Sequence, residues 1–341
     1  MQEDWQKKAT PGEKRWIEAL LSEVRRPSLF AGNAFYWMTC VAFELIQAGM
    51  APLFWLLSGT FAISVLGYTT ALQALFYLGV LLLPSVIYLL THPGVSGSFR
   101  LNPVSPGRAL VCVAAAGAGF LAANFMTTLW MLLLEALGAN TAAASGFLSG
   151  NLMLDVFVVA VLPGVCEELL FRGMLLATYE RWGTWKAIWI SALLFTGLHG
   201  SVAGIPAELM LGVTLGYVAV STNSLYACMM LHTAYNAATL ITGYAVPESA
   251  GAATDTMLEQ LGGMSGVIAV ALVAIAFMLA LFFCLRLLDA LRRRDGMAFG
   301  NDRVIEMKGL SRSEVVLLAS SLCTLAWFYV QDLWVLFGGG M

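Results

Sequence analysis

Long apolar stretches separated by short polar connections make up most of this chain from residue 29 onward. Most of them approach the roughly 20 residues that an α-helix needs to cross a bilayer. Backbone polar groups have no water partners inside lipid, so spanning segments form helices or closed barrels. The pattern therefore predicts an all-α, polytopic transmembrane helix bundle. The apolar stretches lie at about 29–58, 69–91, 108–137, 151–178, 185–200, 206–220, 223–244, 264–288 and 313–337.

The composition agrees with a membrane protein. Hydrophobic residues make up 59% of the 341 residues, charged residues only 11%, and the mean hydropathy is +0.79. A soluble domain carries about a quarter charged residues. The net charge of -3 gives no reason to expect a nucleic-acid partner. Phosphate-binding fingerprints such as GxxxxGK[ST] and GxGxxG do not occur, so we expect no nucleotide cofactor.

The distribution of basic residues predicts how the chain crosses the membrane. All 18 Lys and Arg lie in or beside 1–28, 93–108, 172–186 and 286–312. Cytoplasmic loops are rich in Lys and Arg, and placing every basic group there gives about nine spans with a cytoplasmic N-terminus. This topology requires two spans between residues 29 and 92, although Gly49–Pro52 could divide the first stretch into two.

The same features divide the chain into four parts. Residues 1–28 form a cytoplasmic segment, which is either an amphipathic helix on the membrane surface or an ordinary solvated helix. N-terminal transmembrane spans follow at 29–137. The candidate functional residues fall in a transmembrane core at 150–245. The remainder, 246–341, holds the C-terminal spans and a basic cytoplasmic loop at 289–312.

An acidic pair lies inside the fourth apolar stretch, where an ionisable side chain is costly and indicates function. Glu167 in a cavity of low dielectric suits a general base that activates water. Glu168 and Arg172 are four residues apart, so they can pair on one helix face. Adjacent residues on a helix point about 100° apart, which predicts different tasks for the two glutamates.

Two of the three histidines lie inside apolar stretches, the fifth and the seventh. His232 and Asn236 share a helix face, and together they could stabilise an oxyanion. His199 ends the fifth stretch. At about 1.5 Å per residue, Glu167, His199 and His232 lie roughly 18, 20 and 15 Å from the cytoplasmic ends of their spans. Three separate helices thus bring polar groups to a similar depth, which predicts a common site.

The metal content of this site is left open by the sequence. Glu167, His199 and His232 would supply three zinc ligands and leave a fourth position for water. However, the HExxH motif of metalloproteases does not occur. We therefore favour water activation without a cofactor, with zinc as the alternative.

Two further features of the core bear on its packing. Gly212 and Gly216 form a GxxxG motif, which predicts a close helix contact. Glu208 follows Pro206 near the outer end of its span, where we expect it to be solvated.

The motifs as a set resemble a known protein family. The run EELLFRGMLLATYERWGTWKAIWISALLFTGLHG (167–200) resembles the EExxxR and FxxxH motifs of the CPBP family, which comprises CAAX-processing proteases and bacteriocin-processing or immunity proteins. The run GVTLGYVAVSTNSLYACMMLHTAYNA (212–237) resembles its third region, which contains HxxxN. All three motifs occur in order over roughly 150–245.

The resemblance implies an intramembrane endopeptidase whose active site opens to the cytoplasm. By position, Glu167 corresponds to the water-activating glutamate and His199 to its partner. His232 with Asn236 corresponds to the oxyanion-stabilising pair, and the two remaining residues of the first motif support them. Prenyl-protein relatives remove a C-terminal tripeptide after a lipidated cysteine. We expect the bacterial cytoplasmic membrane as the location and a peptide or membrane protein as the substrate.

Two other functions remain open at this point. A non-catalytic bacteriocin-immunity or scaffold protein could use the same fold to bind a partner. A proton-coupled transporter could use buried carboxylates and imidazoles as a relay. The sequence shows no inverted repeat, which disfavours the transporter.

Overall fold

The computed structural model describes residues 26–61, 65–140, 151–245, 256–300 and 310–338. Within these ranges the chain is helical and contains no β-strand, as the pattern predicts. Most of the predicted N-terminal segment, residues 1–25, lies outside the described residues, as does 301–309 of the basic loop.

Nine long helices within the described ranges coincide with the nine predicted apolar stretches. Two of them, α2 and α4, combine α-helical and π-helical pieces. The helices are α1 (Leu29–Phe61), α2 (65–91), α3 (Pro106–Ala136), α4 (152–179), α5 (Thr184–His199), α6 (Ile205–Thr222), α7 (Leu225–Ala245), α8 (Met264–Arg294) and α9 (Arg312–Gly338).

Six of these helices are long and apolar enough to cross a membrane: α1, α2, α3, α6, α8 and α9. The other three carry the candidate site residues. Helix α4 is broken by π-helical turns, α5 is shorter, and α7 is more polar. The count of nine spans, the cytoplasmic N-terminus and the four-part division of the chain stay predictions. Helix α1 runs without a turn through Gly49–Pro52, so the first stretch is one helix.

Two prolines explain two of the π-helical segments. Phe76–Leu82 in α2 lies just before Pro84, and Val156–Val161 in α4 lies just before Pro163. Proline has no N–H to donate and its ring clashes with the carbonyl four residues earlier, so the preceding turn widens. A further π-helical segment, Leu169–Leu175, directly follows the acidic pair.

Glycine allows the core helices to approach closely. A Cβ on Gly212 would lie 3.0 Å from Cα of Ala192, and one on Gly216 would lie 3.1 Å from the side chain of Ile188. The predicted GxxxG contact is thus confirmed, and it joins α6 to α5. Helices α8 and α9 pack mainly on α3 and α1, respectively.

Candidate active site

Glu168 is the centre of a buried polar cluster. Its Oε1 accepts a hydrogen bond from Nη1 of Arg172 at 2.9 Å, which confirms the predicted pair. The same oxygen lies 2.8 Å from Nδ1 of His232 on α7. Nη2 of Arg172 donates to the carbonyl of Gly212 at 2.9 Å. This ion pair, fully shielded from solvent, therefore links α4, α6 and α7.

A glycine on α4 makes the contact between α4 and α7 feasible. A Cβ on Gly164 would lie 2.2 Å from Oγ1 and 2.9 Å from the backbone nitrogen of Thr233. Thr233 is next to His232, and Gly164 is one turn before Glu168. The absence of a side chain at Gly164 thus sets the distance at which Glu168 and His232 can meet.

Phe195 lies between the two predicted histidines. Its ring centroid is 4.7 Å from the ring of His199 and 5.7 Å from the ring of His232. The guanidinium carbon of Arg172 lies 4.7 Å from the same centroid, within the range of a cation–π contact. The ring of Phe195, the first residue of the FxxxH motif, therefore contacts both imidazoles and the guanidinium group.

The hydrogen bonds of the two histidines define which ring nitrogen is available. Nδ1 of His199 donates to the carbonyl of Phe195 at 2.9 Å, because a carbonyl oxygen can only accept. Nδ1 of His232 donates to Glu168 for the same reason. Each ring is thus left with Nε2 for a reacting group. His199 is exposed at its helix end, whereas His232 is 2% exposed.

Glu167 is buried, and its environment is distinct from that of Glu168. Its Oε2 has no hydrogen-bond partner among the described residues. Oε2 of Glu168 has no partner within those residues either, so the difference between the two acids lies in the groups that they contact. The charge of Glu167 also acts on the imidazole of His199. The two adjacent glutamates therefore have different surroundings, as their 100° separation predicts.

Asn236 lies one helical turn beyond His232 and is half-buried. Its side chain forms no hydrogen bond to any residue that the structure describes. The structure thus brings together Glu167, Glu168, Arg172, His199 and His232 and places Asn236 beside them. The catalytic roles of these six residues stay predictions.

Tyr77 is a site residue that the sequence did not reveal. The π-helical segment Phe76–Leu82 packs against Leu162–Glu168, and the phenol of Tyr77 interacts with the Glu167 carboxylate. A tyrosine in an apolar stretch is ordinary. No local pattern indicated that α2, distant in sequence, supplies a polar group here.

The expectation that Glu208 is solvated is wrong. Glu208 is half-buried in the first turn of α6, and its Oε2 is shielded and without a partner among the described residues. Its charge acts on His199. The connection between α5 and α6 is only five residues long, so the start of α6 returns next to the end of α5. In the sequence, a role for Glu208 is indicated only by its position as an isolated acid in an apolar stretch.

A metal site receives no support from the arrangement of donors. No group of three or more His, Cys, Asp or Glu side chains in the described ranges has a geometry that could hold a metal ion. The alternative with Glu167, His199 and His232 as zinc ligands therefore stays without a structural argument, and water activation without a cofactor stays a proposal.

Comparison with known families concerns the part of the chain that holds the candidate site. Residues 149–238 match the family described as Type II CAAX prenyl endopeptidase Rce1-like. The match confirms the resemblance to the CPBP family of membrane proteases. This CPBP-like segment is about a quarter of the chain and contains every predicted site residue. No curated protein and no solved structure matches the chain.

Proposed function

We propose that this protein is a membrane-embedded endopeptidase of the CAAX-protease type, which hydrolyses a peptide bond with activated water. One observation carries the proposal: His199 and the Glu168-bound His232 both contact Phe195, and the charge of Glu167 acts on His199, all within the CPBP-like segment. Three helices supply these groups, and random placement of the few ionisable residues in apolar helices would rarely bring them together.

In this proposal Glu167 is the general base. A water molecule donates one hydrogen bond to the Glu167 carboxylate and another to Nε2 of His199, which is an acceptor because Nδ1 carries the proton. The water oxygen attacks the peptide carbonyl while its proton passes to Glu167. The protonated Glu167 then transfers this proton to the leaving nitrogen as the C–N bond breaks, which restores the carboxylate. Tyr77 orients the carboxylate.

His232 and Asn236 would stabilise the oxyanion of the tetrahedral intermediate. The amide of Asn236 is a donor in any protonation state. His232 donates from Nε2 only when both ring nitrogens carry protons, since Nδ1 already binds Glu168. Arg172 holds the Glu168 carboxylate, and with it the His232 ring, in place. Each such donor contributes about 10²–10³ in rate.

The substrate we propose is a peptide or a membrane protein that reaches the site from the cytoplasmic side of a bacterial membrane. The name of the matched family refers to prenylated CAAX proteins. A lipid chain next to the scissile bond would hold such a substrate at a site within the bilayer. The same geometry admits an unlipidated peptide that enters from water.

The experiment that tests this function uses the full chain, purified and reconstituted in lipid nanodiscs. Two fluorescence-quenched peptides serve as probes, one with a farnesylated C-terminal CAAX sequence and one without the lipid. We expect cleavage of at least one probe, and loss of cleavage by about 10³-fold or more in Glu167→Ala. Activity retained after dialysis against a chelator would support hydrolysis without a metal.

A matched control removes a charge elsewhere. Glu259 is exposed and forms a capping box with Thr256, in which glutamine can replace glutamate. Glu259→Gln should therefore cleave like the unmodified protein. Cleavage that survives in Glu167→Ala would refute the peptidase. A cellular phenotype that survives in Glu167→Gln while no cleavage product differs in the membrane proteome would favour the immunity or scaffold function.

A further inference from the structure

The segment that follows His199 is held by helices from outside the CPBP-like segment. His199 is the last residue of α5, Gly200 adopts a left-handed conformation with φ 62°, and α6 begins at Ile205. Residues 200–204, the His199 loop, thus connect His199 to the helix that carries Glu208. Any shift of this loop moves both side chains.

Two distant helices fix the centre of the His199 loop. Oδ2 of Asp332 on α9 accepts a hydrogen bond from the backbone N–H of Val202 at 2.6 Å. Nε1 of Trp130 on α3 donates a hydrogen bond to the backbone carbonyl of the same residue, Val202, at 2.8 Å. Val202 itself is 8% exposed. Both backbone groups of one loop residue are therefore occupied by side chains.

Helix α9 also packs against the end of α5. The hydroxyl of Tyr329 donates to the carbonyl of Thr196 at 3.0 Å. A Cβ on Gly197 would lie 2.7 Å from Cδ1 of Leu325. One on Gly200 would lie 2.8 Å from Cβ of Phe328. One face of α9 thus follows the chain from the last turn of α5 into the His199 loop.

We propose that Asp332 is a positioning residue of the peptidase, which holds His199 in register with Glu167 through its hydrogen bond to Val202. The inference rests on the proposed function and assigns a role to a C-terminal helix that the family match does not cover. Asp332 acts on His199 only through the backbone. Its effect should therefore depend on an acceptor oxygen at this position and not on a titrating carboxyl group.

The physical reason is that Asp332 and Trp130 supply the side-chain hydrogen bonds that hold the Val202 backbone. Without Asp332, the Val202 N–H loses its partner, and Gly200 leaves the backbone free to rotate. A reacting group displaced by about 1 Å can slow catalysis by about a hundredfold. Substrate binding elsewhere in the site would be little changed, so the loss should fall on kcat and leave KM near its original value.

The kinetic test compares Asp332→Ala, Asp332→Asn and the control Val330→Ala, which lies on the same helix with a side chain 55% exposed. We expect Asp332→Ala to lower kcat by about tenfold or more with KM within about threefold. Asp332→Asn keeps an acceptor oxygen and should stay within about threefold of the unmodified protein in kcat, with the same pH profile. Val330→Ala should cleave normally. Equal losses in Asp332→Asn and Asp332→Ala would overturn the positioning role, as would an unchanged kcat in Asp332→Ala.

A second measurement does not depend on activity. Hydrogen–deuterium exchange of peptides covering 200–204 should be faster by about tenfold or more in Asp332→Ala and unchanged in Val330→Ala, because only the first removes the partner of a loop amide. Trp130→Phe removes the bond to the Val202 carbonyl and should act in the same direction, which covers the case in which Asp332→Ala does not fold. Unchanged exchange in both variants would refute the inference. If the unmodified protein cleaves neither probe peptide but exchange changes as expected, the proposed function fails and the loop contact stands.

Discussion

Nδ1 of His232 lies 2.8 Å from Oε1 of Glu168, the neighbour of the proposed general base. The two acids of the EE pair therefore belong to different parts of the site. Oε1 of Glu168 binds Arg172 and His232, whereas its Oε2 has no hydrogen-bond partner among the described residues. Glu167 forms no salt bridge within those residues, and its charge acts on His199. The two acids thus differ in their partners, and we predict a structural charge at Glu168 and a reactive one at Glu167.

This separation predicts opposite effects of two similar substitutions. Glu168→Gln leaves the buried Arg172 charge without a counterion, which should lower the free energy of unfolding by about 3 kcal/mol or more. Glu167→Gln keeps an acceptor oxygen for Tyr77 and removes a buried charge that forms no salt bridge within the described residues, so stability should be unchanged or higher, while cleavage is lost. Thermal unfolding in detergent, measured beside the peptide assay, distinguishes the two. Equal melting temperatures for the two variants would contradict the assignment.

Tyr77→Phe tests whether α2 contributes to the site. The substitution removes only the hydroxyl that interacts with Glu167, and the half-buried ring keeps its packing. We expect kcat to fall by about tenfold, the usual value of one hydrogen bond to a charged group, with KM nearly unchanged. Tyr88→Phe, on the same helix, is the control. An unchanged kcat in Tyr77→Phe would remove this residue from the mechanism.

Gly164→Ala tests the close approach of α4 and α7. The new Cβ would lie 2.9 Å from the Thr233 backbone nitrogen, a contact that no side-chain rotation relieves. We expect α7 to move away from α4, which separates His232 from Glu168, lowers the melting temperature and abolishes cleavage. The double variant with Thr233→Ala removes only the hydroxyl contact and should not restore activity. Gly107→Ala, where a Cβ would meet open space, is the matched control.

The sequence predicted the helices well because membrane helices follow directly from apolar length. It also predicted the Glu168–Arg172 pair and the GxxxG contact, since both depend on spacing within one helix. It could not predict that His232 binds Glu168 or that Tyr77 and Asp332 reach the site region. Those contacts depend on how helices distant in sequence pack. The solvation predicted for Glu208 is wrong because a position near the outer end of a span need not face water, and the short loop after His199 returns this residue to the site.

The complete burial of Glu168 and Arg172 has a consequence for assay conditions. Mobile ions screen charges only where water carries them, so added salt should leave this pair unaffected. Any dependence of cleavage on ionic strength would then originate in charged groups that water reaches, such as those that the proposed substrate would meet first. Varying the salt concentration therefore separates the capture of the substrate from the chemistry that follows.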